Sequence, residues 1–216
     1  MPAPRPESES AHDSGSAGWR DRIELERRLV HAGGAFYVAP YLLGWIDWPE
    51  TRILLLAGLC VVAVLEFLRL GIGCDHAIFR TLTRSYERDN VAGYALYQLS
   101  MTGVVVWFSP SIAIPTLWML AFGDPVSGAL GRNAADEYKR PAVWIITFFV
   151  CVAVAVPITV PAFGPTIGTL AAVVGAIGAT IADGLPPLIR GQPVDDNLTI
   201  PLFAVTGIWS VVAVLG

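Results

Sequence analysis

The stretch AVWIITFFVCVAVAVPITVPAFGPTIGTLAAVVGAIG, residues 142–178, contains no Asp, Glu, Lys or Arg. A helical crossing of a bilayer needs about 20 apolar residues, so this run is long enough for two crossings. The bias extends through the chain, which is 54% apolar or aromatic and 15% charged, with mean hydropathy +0.58. Soluble domains carry about 25% charge, and an ordinary soluble domain is thereby excluded.

Outward from that stretch, apolar segments at 30–46, 53–68, 91–108, 111–130, 142–160, 166–182 and 198–215 predict an all-α polytopic transmembrane bundle of about seven spans. No connection between them is long enough to fold separately, so any chemistry lies in or beside the membrane. Lys and Arg near span ends stay cytoplasmic. With the N-terminus inside, Arg5, Arg20, Arg22, Arg27, Arg28, Arg69, Arg80, Arg84, Arg88, Arg132, Lys139, Arg140 and Arg190 fall on cytoplasmic segments, and only Arg52 falls outside. The expected location is the cell membrane, multi-pass, with the N-terminus cytoplasmic. Residues 1–23, rich in Pro, Ser, Gly and acid, read as a disordered cytoplasmic tail without the basic-then-apolar order of a signal peptide. Residues 24–216 form the membrane domain. The three cysteines, Cys60, Cys74 and Cys151, suit no disulfide framework.

Two segments differ from plain spans. In HAIFRTLTRSYER (76–88), Ile78, Leu82 and Tyr86 recur every four residues and Arg80, Arg84 and Arg88 lie roughly opposite, the pattern of an interfacial amphipathic helix. In the sixth span, Ala171, Gly175 and Ala179 keep one face thin for close helix packing and lead by steps of four to Asp183. That carboxylate is expected to point into the bundle.

Acids at membrane depth are costly and mark sites by default. Glu66 lies three residues before Arg69 and reads as a helix-end salt bridge. Asp124 sits in AFGDPVSGALGR (121–132), where residues 111–122 alone are too short to cross, which predicts a broken span. Asp124 would cap the resumed half, Pro125 would suit its first turn, and Gly128 and Gly131 would permit close approach at a terminus that attracts phosphate. The last connection, DGLPPLIRGQPVDDNLTIPL (183–202), groups Asp195, Asp196 and Asn197. These are hard oxygen ligands of the sort Mg²⁺ takes alongside phosphates, although one of them also suffices to cap the final helix. Carboxylates, cations and a membrane setting suggest phosphoryl or nucleotidyl transfer to a lipid. No P-loop, dinucleotide fingerprint or protein-kinase motif is present.

The segments GDPVSGALGR, ATIADGLPP and DDNLTIPL, with ELERRLVHAGG (24–34), resemble the dolichol kinase, phytol kinase and CTP-dependent diacylglycerol kinase family of membrane proteins. The resemblance implies an integral membrane kinase-like domain over 24–216. It implies transfer of a γ-phosphoryl group, typically of CTP, to an isoprenoid alcohol of the dolichol, polyprenol or phytol type, with Mg²⁺ as cofactor and the active site cytoplasmic. Carried onto this sequence, Asp124, Asp195, Asp196 and Asn197 would organise metal and triphosphate. Asp183 would join the metal site or accept the alcohol proton. Arg27, Arg28, His31, Gly123, Ser127, Gly128, Arg132, Lys139 and Asn197 would bind phosphate or nucleotide. The chain departs from the family pattern in having Asp at 183 in place of Glu. It also has NAADEYKR (133–140) where members carry Lys and Ser/Thr followed by Glu-Gly, and Lys139 or Arg140 is the candidate replacement. Phosphatidate cytidylyltransferase-like synthesis of a CDP-lipid and a non-catalytic membrane relative are the alternatives.

Overall fold

A computed structural model describes residues 31–83, 87–131, 139–185, 188–189 and 192–216. The regular elements among these residues are helices, apart from one antiparallel pairing of β1 (Leu188–Ile189) with β2 (Gln192–Pro193). After a short 3-10 turn (Gly34–Val38) come α1 (Ala39–Leu42), α2 (Trp48–Glu66), α3 (Ala77–Leu82), α4 (Gly93–Trp107), α5 (Pro110–Trp118), α6 (Asp124–Leu130), α7 (Pro141–Phe163), α8 (Pro165–Gly184) and α9 (Asp196–Leu215). Two π turns extend this pattern: Phe67–Gly71 prolongs α2, and Met119–Gly123 joins α5 to α6.

Among the described residues, four helices are long and apolar enough to cross a bilayer: Trp48–Gly71, Pro141–Phe163, Pro165–Gly184 and Asp196–Leu215. The other three expected spans take different forms. The first reaches only Leu42 before a turn at Gly44, whose φ is +70°. The third is α4, with 15 residues, about 22 Å of helix. The fourth is divided by its π turn. Lipid-facing character is nevertheless plain on α2, α7 and α9, where Ile53, Val61, Phe149, Leu202 and Trp209 are exposed. Exposed apolar residues in such numbers suit contact with acyl chains.

The 142–178 run folds as a hairpin. Gly164 links α7 to α8 at φ +82°, a conformation that favours glycine, and Pro165 opens α8. The small-residue face of α8 is the packed one: Ala171, Ala179 and Asp183 are buried. A Cβ on Gly178 would meet the Phe203 carbonyl oxygen at 2.6 Å, and one on Gly175 would meet Ile208 at 2.5 Å. Glycine at these positions therefore sets how closely α8 approaches α9. α7, α4 and α5 complete the bundle around a core that includes Met101, Leu117, Leu120 and Ile200.

The segment expected to form an interfacial helix is short. α3 has six residues, Arg88 lies beyond it in a turn, and Arg84 and Tyr86 lie outside the described residues. What orders this connection is Arg69. Its guanidinium donates to both oxygens of Glu66 at 2.9 and 2.7 Å, and to the backbone carbonyls of Glu87, Arg88 and Asn90 at 3.0, 3.1 and 2.5 Å. The Glu66 carboxylate also accepts from Ala92 N–H at 3.2 Å and from the Tyr94 hydroxyl. The helix-end pair read from the sequence is thus a clamp between the end of α2 and the start of α4.

Candidate functional site

At one end of the bundle, the start of α4, the end of α6, the start of α7, the end of α8 and the start of α9 meet. Arg140 donates to the Leu130 carbonyl at 3.3 Å. The Trp144 ring lies against Gly184, where any Cβ would collide with it. A Cβ on Gly93 would meet Asn197 Nδ2 at 3.2 Å and Glu87 Oε1 at 3.3 Å. Into this convergence project three carboxylates from three helices: Asp124, Asp183 and Asp196 each offer an oxygen within 4.8 Å of the others.

Asp124 does not cap a restarted helix. Gly123 (φ −65°, ψ −51°) and Asp124 (φ −61°, ψ −50°) are both helical, Gly123 makes no capping bond, and the expected break is a wide turn that keeps the backbone wound. Gly123 serves close packing, since a Cβ there would meet Cys151 Sγ at 3.0 Å. The Asp124 carboxylate instead takes His31 Nδ1 at 3.1 Å. The His31 ring packs against Tyr97 with centroids 4.5 Å apart, and the Tyr97 hydroxyl donates to the His31 carbonyl at 2.7 Å. A Cβ on Gly34 would occupy the place of that hydroxyl, which gives the HAGG glycine a physical purpose.

Asp183, buried at the end of the small-residue face, accepts from Lys139 Nζ at 2.6 Å through Oδ1 and from Ser127 Oγ at 2.5 Å through Oδ2. Lys139 Nζ also donates to Ser127 Oγ at 2.8 Å. Of Lys139 and Arg140, Lys139 is the one that reaches Asp183. Gly128 follows Ser127 on α6, half-buried.

The adjacent pair Asp195 and Asp196 divides its labour. Asp195 is the N-cap of α9: its Oδ1 accepts from Asn197 N–H at 2.9 Å and from Asn197 Nδ2 at 2.7 Å. It lies outside the group of three carboxylates. One residue further on, Asp196 belongs to that group. Asn197 Oδ1 is buried without a hydrogen-bond partner, and a buried amide oxygen left unpaired costs about 1–3 kcal/mol.

The three carboxylates supply the oxygen ligands that a hard divalent cation takes. Oxygen ligands on opposite sides of an ion stand about 4.2 Å apart for Mg²⁺ and about 5 Å for Ca²⁺, so the carboxylates, within 4.8 Å of one another, would close by about half an ångström around Mg²⁺. Of the other expected site residues, Arg27, Arg28 and Arg132 lie outside the described residues. Sequence reasoning passed over Tyr97 and Glu87. Glu87 is 4% exposed, and its signal was a lone acid between Tyr86 and Arg88 in an otherwise basic segment.

Over 113 residues, half of this chain, the sequence is 23% identical to CTP-dependent diacylglycerol kinase 1 of Eremothecium gossypii. The match covers 36% of that relative, so the chain spans about a third of its length. No family model and no solved structure matches.

Proposed function

We propose that this protein is a CTP-dependent lipid kinase that moves the γ-phosphoryl group of CTP to the hydroxyl of a membrane lipid alcohol. The observation that carries the reading is the meeting of Asp124, Asp183 and Asp196, with Lys139 bound to Asp183, at one end of an apolar helical bundle. The similarity to a CTP-dependent lipid kinase supports the same chemistry. Phosphoryl transfer depends mainly on positioning and charge neutralisation, which fixed carboxylates and an ammonium supply without a covalent intermediate.

Mg²⁺, when bound, would neutralise charge on the triphosphate and orient it. Asp124, Asp183 and Asp196 would hold the ion, with Asn197 Oδ1 as an uncharged ligand. His31 steadies Asp124 from the side of Tyr97. Ser127 and Lys139 fix the Asp183 carboxylate, and Asp195 holds the first turn of α9, which carries Asp196. The acceptor enters from the bilayer, and the bundle has seven crossings with the site and the N-terminus on the cytoplasmic side. The motif resemblance favours an isoprenoid alcohol of the dolichol or phytol type, and the similarity to a CTP-dependent diacylglycerol kinase supports diacylglycerol as a second candidate acceptor.

The test is incubation of purified protein in liposomes with Mg²⁺, CTP labelled at the γ-phosphate, and a panel of polyprenol, phytol and diacylglycerol. Label is expected in the organic phase as a lipid monophosphate and absent with Asp196→Asn. Folded protein that labels no lipid with any acceptor would overturn the reading.

A further inference from the structure

Tyr97, on α4, meets His31 at two places. Its hydroxyl donates to the His31 carbonyl at 2.7 Å, and its ring packs on the imidazole with centroids 4.5 Å apart and planes 34° apart. The first contact fixes the main chain at residue 31 and the second fixes the plane of the ring. Held in this way, His31 Nδ1 stands 3.1 Å from Asp124 Oδ2. Both rings are buried, and glycine at 34 keeps the place of the hydroxyl open, since any Cβ there would fill it. The same segment has a second fastening, in which Trp118 Nε1 donates to the Ala35 carbonyl at 3.3 Å. That bond secures the main chain at 35 rather than at 31.

We propose that Tyr97 is a positioning residue for Asp124, acting through His31: it holds the imidazole in the orientation, and so in the tautomer, that donates through Nδ1 to the carboxylate. Its effect on turnover rests on the proposed kinase reading, and its effect on His31 does not. A neutral imidazole carries its proton on either nitrogen, and the partner each nitrogen meets decides which. An ionised carboxylate only accepts, so the nitrogen facing Asp124 is the one that bears hydrogen. Without the Tyr97 hydroxyl, the His31 carbonyl loses this donor in a buried setting, and the ring is free to turn away from Asp124. Small displacements behind a reacting centre are costly, and partners that orient a ligating side chain are worth about 10–100-fold in activity.

The experiment has two arms. In the first, the full chain labelled with ¹⁵N-histidine is studied by NMR in detergent, without metal or nucleotide, at alkaline pH, where imidazole is neutral. Of the three histidines, His31 is assigned by the signals lost in His31→Gln. Native protein and Trp118→Phe are expected to carry the His31 proton on Nδ1, and Tyr97→Phe to show a mixture of tautomers. In the second arm, transfer of label from γ-labelled CTP to lipid should fall about 10-fold in Tyr97→Phe, with KM for the lipid acceptor unchanged, and stay close to native in Trp118→Phe. A native His31 protonated mainly on Nε2 would overturn the proposal. So would a folded Tyr97→Phe that keeps the native spectrum or the native turnover, or a Trp118→Phe that matches it in both arms, which is general loosening of the segment. Should Tyr97→Phe fail to fold, Gly34→Ala displaces the same hydroxyl and carries the same expectations. Native protein that labels no lipid would remove the kinase reading, and the spectra would still decide whether Tyr97 sets the pair of His31 with Asp124.

Discussion

Glu66 with Arg69 and Tyr94, and Asp183 with Lys139 and Ser127, are built from the same parts: a carboxylate, a cation and a hydroxyl. The Glu66 group is closed. Arg69 spends its guanidinium on both Glu66 oxygens and three backbone carbonyls, and Glu66 receives Tyr94 and Ala92 as well. Around Asp183 one ammonium faces a carboxylate that has two others within 4.8 Å, and a buried amide oxygen nearby on α9 has no partner. Satisfied polar groups rigidify, whereas an excess of negative oxygens stores repulsion that a ligand can relieve. The gathering of three carboxylates, and not the presence of an ion pair at membrane depth, distinguishes the Asp183 group from the Glu66 group.

That contrast can be broken by substitution. The largest effect is expected from Asp196→Asn, which should lower turnover of labelled lipid by at least about 100-fold, on the scale of removing one electrostatic contact to the transition state. Arg69→Met should leave the half-buried Glu66 carboxylate with only Tyr94 and Ala92 as partners and deprive three backbone carbonyls of a donor, costing about 1–3 kcal/mol of stability, read as a lower midpoint of unfolding in detergent. Equal stability of Arg69→Met and native protein would show that the clamp is not closed. The smallest change serves as the control. Asp47 caps α2 at the end opposite Glu66 and forms a reciprocal pair with Glu50 at 2.8 and 2.7 Å. Asp47→Ala should cost about 1 kcal/mol with turnover unchanged.

The long helices were legible because lipid contact imposes one requirement on many consecutive residues, as in 142–178. Small residues at steps of four likewise announced the packed face of α8 and the inward direction of Asp183. Where a requirement falls on one backbone angle, the sequence was silent. Asp195 and Asp196 are chemically equal, and only the extended-to-helical switch between them makes one a cap and sets the other among the three carboxylates. The pairing of His31 with Asp124 spans 93 residues, and that of Lys139 with Asp183 spans 44. No periodicity encodes contacts of that range. GDP looked like a break because Gly and Pro flank the acid. The structure winds through it by way of the wider turn Met119–Gly123.

That wider turn also bears on insertions and deletions. An α-helix advances about 100° per residue, so losing one residue from its interior swings everything beyond it to a new face. A π turn accommodates one extra residue without turning the flanking segments out of phase. Removal of the partly exposed Phe122 lets Met119–Gly123 relax to ordinary winding and keeps Asp124 and Ser127 on the faces they now occupy. The same removal within α8 would carry Asp183 away from Lys139. The helix bearing Asp124 can thus change length where its neighbours cannot.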